Sequence, residues 1–215
     1  PPQLTALSPT EGPSYGEDVL TISGSGFGKD ARIVVARVDG VACVKTTLVS
    51  DTEVKCVTPK HNTEKEAGDE NARVPVTVEV AGVESAAVST AADVLTQYLY
   101  MPVSPARIEP AFGPSYGGEA FSIFGRFLGS TKKAHLVPEV FVGPVPCASS
   151  TLQPSEESIT CVPAPGSGNQ SVMVVVNGVR SALSSALSYD YRAPEVHTIS
   201  PRSGPTYGGI VVDVR

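Results

Sequence analysis

The letters GPSYG stand at positions 12–16, return at 113–117, and come back as GPTYG at 204–208. The spacing of these copies, 101 residues and then 91, limits the fold more than any other feature. Solenoid units repeat about every 20–50 residues, whereas about 100 residues is the size of a small independent domain. Each copy brings its surroundings with it: SPTEGPSYGEDVLTISGSGFG (Ser8 to Gly28), EPAFGPSYGGEAFSIFGRFLG (Glu109 to Gly129) and SPRSGPTYGGIVVDVR (Ser200 to Arg215). The chain therefore reads as two whole domains, 1–101 and 105–192, and the first two strands of a third at 195–215. A last repeat cut short in this way reads as a piece of something longer, or as a segment that completes its fold against a neighbouring molecule.

The local pattern is β throughout. Val74, Val76, Val78 and Val80 alternate with Pro75, Thr77 and Glu79, as a strand with one buried face requires. Val172, Val174 and Val176 repeat the pattern and run into Asn177-Gly178. Asn-Gly between apolar runs predicts a hairpin, because both turn residues must accept positive φ. Asp39-Gly40 sits likewise between RIVVARV and VACV, and Leu20, Ile22, Phe121 and Ile123 mark the strand after each GPSYG. Helix is nearly absent; the Ala-rich run from Glu84 to Leu99 reads as the approach to a last strand rather than a helix. The charged stretch from Lys60 to Arg73 reads as an exposed, mobile loop. Short proline-bearing joints, MPVSPA and RAPEV, predict a semi-rigid tandem.

Composition removes several function classes. A net charge of −6 opposes nucleic-acid binding, which needs clustered Lys and Arg. No apolar run reaches the roughly 18 residues of a membrane span, and the start PPQLTALSP lacks the regions of a signal peptide.

The four cysteines fall in equivalent places, Cys43 and Cys56 in the first domain, Cys147 and Cys161 in the second. The second of each pair lies in a matching phrase, VKCVTP and ITCVPAP. One pair per domain suggests two internal disulfides, each worth about 3 kcal/mol in the chain-entropy model, and an oxidising, extracellular setting. Four buried thiols are the alternative. Zinc is opposed by the spacing, which is not that of a Cys-x₂₋₄-Cys site.

Taken in order, the Gly-Pro-x-Tyr-Gly turn, a strand ending in GSGFG or GRFLG, a hairpin leading to a Cys (RVDGVAC), and the second Cys phrase resemble the IPT/TIG domain. This Ig-like fold occurs in plexins and related receptors, in fibrocystin-like surface proteins and in several transcription factors. The resemblance covers nearly the whole chain. It implies all-β tandem sandwiches of about seven strands each, with the Cys pairs bonded as in extracellular members. The second domain departs at FVGPVPC (Phe141 to Cys147), which puts the shape of that hairpin in question. The repeated turn then reads as a fold-specifying element built from Gly12, Pro13, Tyr15 and Gly16, from Gly113, Pro114, Tyr116 and Gly117, and from Gly204, Pro205, Tyr207 and Gly208. Proline presets φ, glycine permits shapes denied to other residues, and the tyrosine ring has two places to lie: the sandwich end or the neighbouring domain. A ligand-contacting loop is the competing reading.

No catalytic or cofactor constellation emerges. His61, His135 and His197 fall in different repeats, and GSGFG and GRFLG lack the spacing and following helix of a phosphate loop. Glu64, Glu66, Asp69 and Glu70 read as a solvated acidic loop rather than a calcium site, lacking D-x-D-x-D spacing. Asn169-Gln170-Ser171 is an N-glycosylation acceptor. The sequence thus points to a non-enzymatic structural or adhesive segment of a long extracellular or cell-surface protein, such as a filament or surface-coat subunit. It would need no cofactor, metal, nucleic acid or membrane contact, and its partners would be copies of itself or other extracellular proteins. A ligand-binding ectodomain of plexin or fibrocystin type is the alternative, and a DNA-binding IPT domain a weaker one.

Overall fold

The computed structural model describes residues 1–61, 73–85 and 96–215. The acidic loop and the Ala-rich run fall mainly outside these residues.

Alternation of apolar and polar residues gives strands with one buried face, and two such faces closed on each other give a sandwich. In the first unit one sheet runs β1(Gln3–Ser8), β3(Val19–Ser25), β7(Glu53–Val57), β6(Lys45–Ser50). The other runs β2(Glu11–Pro13), β10(Gln97–Met101), β8(Arg73–Val80), β4(Val34–Val38), β5(Val41–Ala42), with β9(Val83–Glu84) also on β8. Leu7, Leu20, Ile22, Val54 and Cys56 of the first sheet meet Ala36, Val38, Val76, Val78, Tyr98 and Tyr100 of the second in one buried cluster.

The second unit repeats this order: β11(Ser104–Glu109), β13(Phe121–Arg126), β17(Ser158–Val162), β16(Ser149–Leu152) against β12(Phe112–Pro114), β20(Ser188–Arg192), β18(Gly168–Val176), β14(Glu139–Val142), β15(Val145–Pro146), with β19(Val179–Arg180) on β18. Each unit has seven described strands of four or more residues, and the additional short strands are two or three residues long. The protein is all-β, a tandem of Ig-like sandwiches.

Both Asx-Gly hairpins form, with positive φ at Asp39 (53°), Gly40 (73°), Asn177 (49°) and Gly178 (74°). The questioned hairpin keeps its register as well, Val142 pairing with Val145 as Val38 pairs with Val41. There Gly143 takes the positive φ (60°) and Pro144 the negative one, a different turn chemistry with the same outcome.

The disulfides Cys43–Cys56 (Cα–Cα 5.6 Å) and Cys147–Cys161 (5.9 Å) each run from just beyond the short hairpin strand of one sheet to the inner face of the other. They staple the two layers. All four cysteines are paired, which belongs to an extracellular or cell-surface setting.

Residues 199–214 form a two-stranded sheet, β21(Ile199–Ser200) with β22(Asp213–Val214). Ile199, Ile210, Val212 and Val214 are exposed.

Candidate functional site

The repeated turn is built alike three times. Pro13, Pro114 and Pro205 each offer a carbonyl to the N–H of Gly16, Gly117 and Gly208, at 3.0 Å in every case. Those three glycines take φ of 75°, 71° and 75°. The proline therefore opens the turn rather than occupying its centre, which Ser14-Tyr15, Ser115-Tyr116 and Thr206-Tyr207 fill. Cis peptide bonds precede Pro9, Pro110 and Pro201, four residues ahead of each turn proline.

In the whole units the turn is locked to the strand that leaves the sandwich. β2 pairs in parallel with β10, and the Ser14 N–H donates to the Met101 carbonyl at 2.7 Å. Ser115 donates likewise to Arg192 at 3.2 Å, next to β12 on β20. The exit strand thus delivers the chain to the next repeat right beside the turn. The first glycine of the motif also has a physical reason. A Cβ on Gly12 would lie 1.8 Å from the Tyr98 hydroxyl, and one on Gly113 1.9 Å from that of Tyr189. The motif and the Tyr-x-Tyr of the last strand interlock. Tyr100 and Tyr191 close the same end by donating to the Pro59 and Ala164 carbonyls at 2.8 and 2.9 Å.

The tyrosine between the glycines separates the three copies. Tyr15 is only 5% exposed and belongs to the buried cluster of the second unit, whereas Tyr116 is 71% and Tyr207 90% exposed. The Tyr15 hydroxyl donates to the Gly129 carbonyl at 3.3 Å, and its own carbonyl accepts from the Asn177 side chain at 3.1 Å. Burial, with some repulsion from Glu156, pushes the phenol up to about 12, so it stays neutral and a donor.

Beside it the Glu17 carboxylate receives the Lys133 ammonium and lies 3.2 Å from His135 Nε2. The hydrogen bond from Lys133, assisted by His135 and opposed by partial burial, holds the Glu17 carboxyl below the usual carboxylate range. Lys133 also donates to the Glu17 backbone carbonyl at 3.3 Å, and Arg126 reaches Glu11 at 3.0 Å. Lys133 and His135 come from the segment between Gly129 and β14, nine residues long where the first unit has five between Gly28 and β4. Glu156 orders that segment, accepting from Ser130 Oγ at 2.9 Å and the Thr131 N–H at 2.8 Å. What the arrangement does chemically is hold two sandwiches together.

The other candidate residues lie elsewhere. His61 stacks on Tyr100 with ring centroids 4.6 Å apart, and the His197 N–H donates to the Arg215 carbonyl. The three histidines thus occupy three separate settings. Phe27 and Leu128 of the Gly-rich phrases are core residues of their sandwiches. Asn169 is the second residue of β18 and is exposed, lining a surface hollow with Ser171, Leu183 and Ser188. Among the described residues no cluster of His, Cys, Asp and Glu is arranged to hold a metal, and no helix is long and apolar enough to cross a membrane.

A family model described as the IPT/TIG domain matches residues 2–96 and 104–191. The chain belongs to the IPT/TIG family. Among curated proteins it is similar to Plexin-2 of Caenorhabditis briggsae, 26% identical across 100% of this chain and 11% of that protein, and to Plexin-2 of Caenorhabditis elegans at 25% with the same coverage. Human Plexin-B3 is 33% identical over 50% of this chain and 6% of its own length. The chain thus spans about a tenth or less of the curated relatives it matches. Among solved structures the plexin A4 extracellular region superimposes with a TM-score of 0.44 at 21% identity, over 89% of this chain and 18% of that one.

Lys133, His135, Glu17 and the Asn177 side chain were not singled out in the sequence as joint residues. Only the length of the Ser130–Pro138 segment, relative to the first repeat, could have marked two of them.

Proposed function

We propose that this chain is a segment of a receptor ectodomain of the plexin kind, in which tandem IPT/TIG sandwiches act as a spacer. The observation that carries this is the match to Plexin-2 along the entire chain. It supports the receptor reading over the filament or surface-coat reading that tandem repeats alone suggest. The bonded joint around Tyr15 and Glu17 is what a spacer needs, since it holds one repeat on the next and so sets the separation of whatever they carry. The segment itself is non-catalytic in this reading, and its partners are other extracellular proteins.

Asn169 carries an N-linked glycan in that setting. The side chain lies on the outer sheet face with Ser171, clear of both the core and the joint. Enzymatic removal of N-glycans should lower the mass of the secreted chain, and Asn169→Gln should abolish that change.

Impermeant labelling of intact cells that make the native protein tests the main claim. Label on this segment, in a protein that extracts with detergent as a membrane-anchored species, is the expected result. Recovery of the segment from insoluble fibres, or only from inside cells, would overturn it.

A further inference from the structure

Tyr116 sits in the same turn as Tyr15 within its own repeat but has none of the partners that Tyr15 has in the next one. Its turn closes with the same hydrogen bond, and the exit strand β20 runs beside it as β10 runs beside Tyr15. Around it lies an open groove of about 290 Å³ lined by Phe112, Pro114, Tyr116, Glu119, Arg192 and Pro194. Phe112 is itself exposed, and the Arg192 guanidinium stacks over its ring at 3.4 Å. An exposed aromatic pair with a stacked arginine is the composition of an interface centre, not of an idle surface.

We propose that this groove is the docking seat for a complete third IPT/TIG repeat, the one whose opening is residues 195–215. The second unit shows what such a repeat supplies. Tyr15 shares a buried cluster with Leu136 and Phe127 and bonds to Gly129 and Asn177, all of which lie after the start of β13. The counterparts of these positions in a third repeat fall after residue 215. The opening that is present, Ile199 to Val214, holds none of them, and its hydrogen bonds close on itself. The occupant follows from the linker as well. Arg192-Ala193-Pro194 form one wall of the groove, so whatever follows them is delivered to its edge.

The second joint differs from the first in kind. Gly118 stands where the first repeat has Glu17, and the carboxylate in this groove is instead Glu119, 3.5 Å from the Tyr116 hydroxyl. Phe112 replaces Glu11. The second joint is therefore aromatic, with Tyr116 inserted into the next sandwich and its hydroxyl on a backbone carbonyl. This does not rest on the receptor reading, because any tandem of these repeats would make the contact.

Tetranitromethane nitration read by peptide mass spectrometry tests it. In the 215-residue chain Tyr116 and Tyr207 should react and Tyr15 should be spared. In the native polypeptide carrying the third repeat whole, Tyr116 should slow by about tenfold or more, because reaction then waits on opening of the joint. Equal Tyr116 rates in both proteins would overturn the proposal. So would protection that appears in the 215-residue chain as its concentration rises, which would assign the groove to a second copy. Tyr116→Ala supplies an independent readout. In the longer polypeptide it should let the third repeat tumble independently by NMR relaxation, and unchanged tumbling would count against the docking.

Discussion

Tyr15 and Tyr116 stand at the same place in two turns of the same five letters, with the same closing hydrogen bond and nearly the same glycine φ. One is sealed inside the neighbouring sandwich and the other faces solvent. The five letters therefore determine a backbone, and the repeat that follows decides what the side chain does. A turn that specifies a fold and a turn that joins two folds are the same object seen with and without its neighbour. The third copy forms the same turn, with Tyr207 exposed.

Alanine at the two tyrosines is the most direct way to break this comparison. Tyr15→Ala removes a buried aromatic and should cost the joint about 3 kcal/mol, whereas Tyr116→Ala in the 215-residue chain should stay within about 0.5 kcal/mol. Urea unfolding with separate probes for each unit gives the measurement. A large loss at Tyr116 in this chain would mean that its exposed ring supports its own unit.

The disulfides test the opposite case, a feature in which the two units match. Their sequence separations are 13 and 14 and both cross between sheets. Replacing either pair by alanine should destabilise its own unit by about 3 kcal/mol. Unequal losses would show that the two cores, despite their shared topology, lean on the staple to different degrees.

The glycines that end the turns come next. Gly16 and Gly208 share φ of 75°, so alanine at either meets the left-handed penalty of about 1 kcal/mol. At Gly16 the new Cβ would also lie 2.6 Å from the Lys60 backbone nitrogen, while at Gly208 it meets nothing. Gly16→Ala should therefore cost about 2 kcal/mol or more in total, and Gly208→Ala should leave the thermal unfolding of both sandwiches unchanged.

What was legible in the sequence was local. The alternation in Val74–Val80, the Asp39-Gly40 and Asn177-Gly178 hairpins and the positive-φ glycines each depend on residues within a few positions, and the structure forms all of them. Equivalent placement made the cysteine pairing readable without geometry. The joint was not readable, because its partners are 114 to 162 residues apart in the chain and no repeat pattern links them. The role of Gly12 was hidden for the same reason. Its constraint is the Tyr98 hydroxyl, which arrives from the far end of the repeat.

The smallest expected effect concerns the charges of the joint, where the first repeat has Glu11 and Glu17 and the second has Phe112 and Gly118. The Glu17 carboxyl is held below its ordinary value chiefly by the Lys133 hydrogen bond. A carboxylate whose folded pKa is depressed stabilises the folded joint above its unfolded pKa of about 4.3, and that stability is lost as pH falls through the folded pKa. The interaction is partly exposed, so its contribution is on the order of 1 kcal/mol, less at high salt. Lowering the pH from neutral should thus leave the joint intact until the acid range and then loosen it, with Tyr15 becoming accessible before either sandwich unfolds. Glu17→Gln should remove that dependence and bring the neutral-pH joint to its acid-range strength. A joint whose tyrosine accessibility ignores both pH and the Glu17 substitution would show that Tyr15 alone holds the two repeats together.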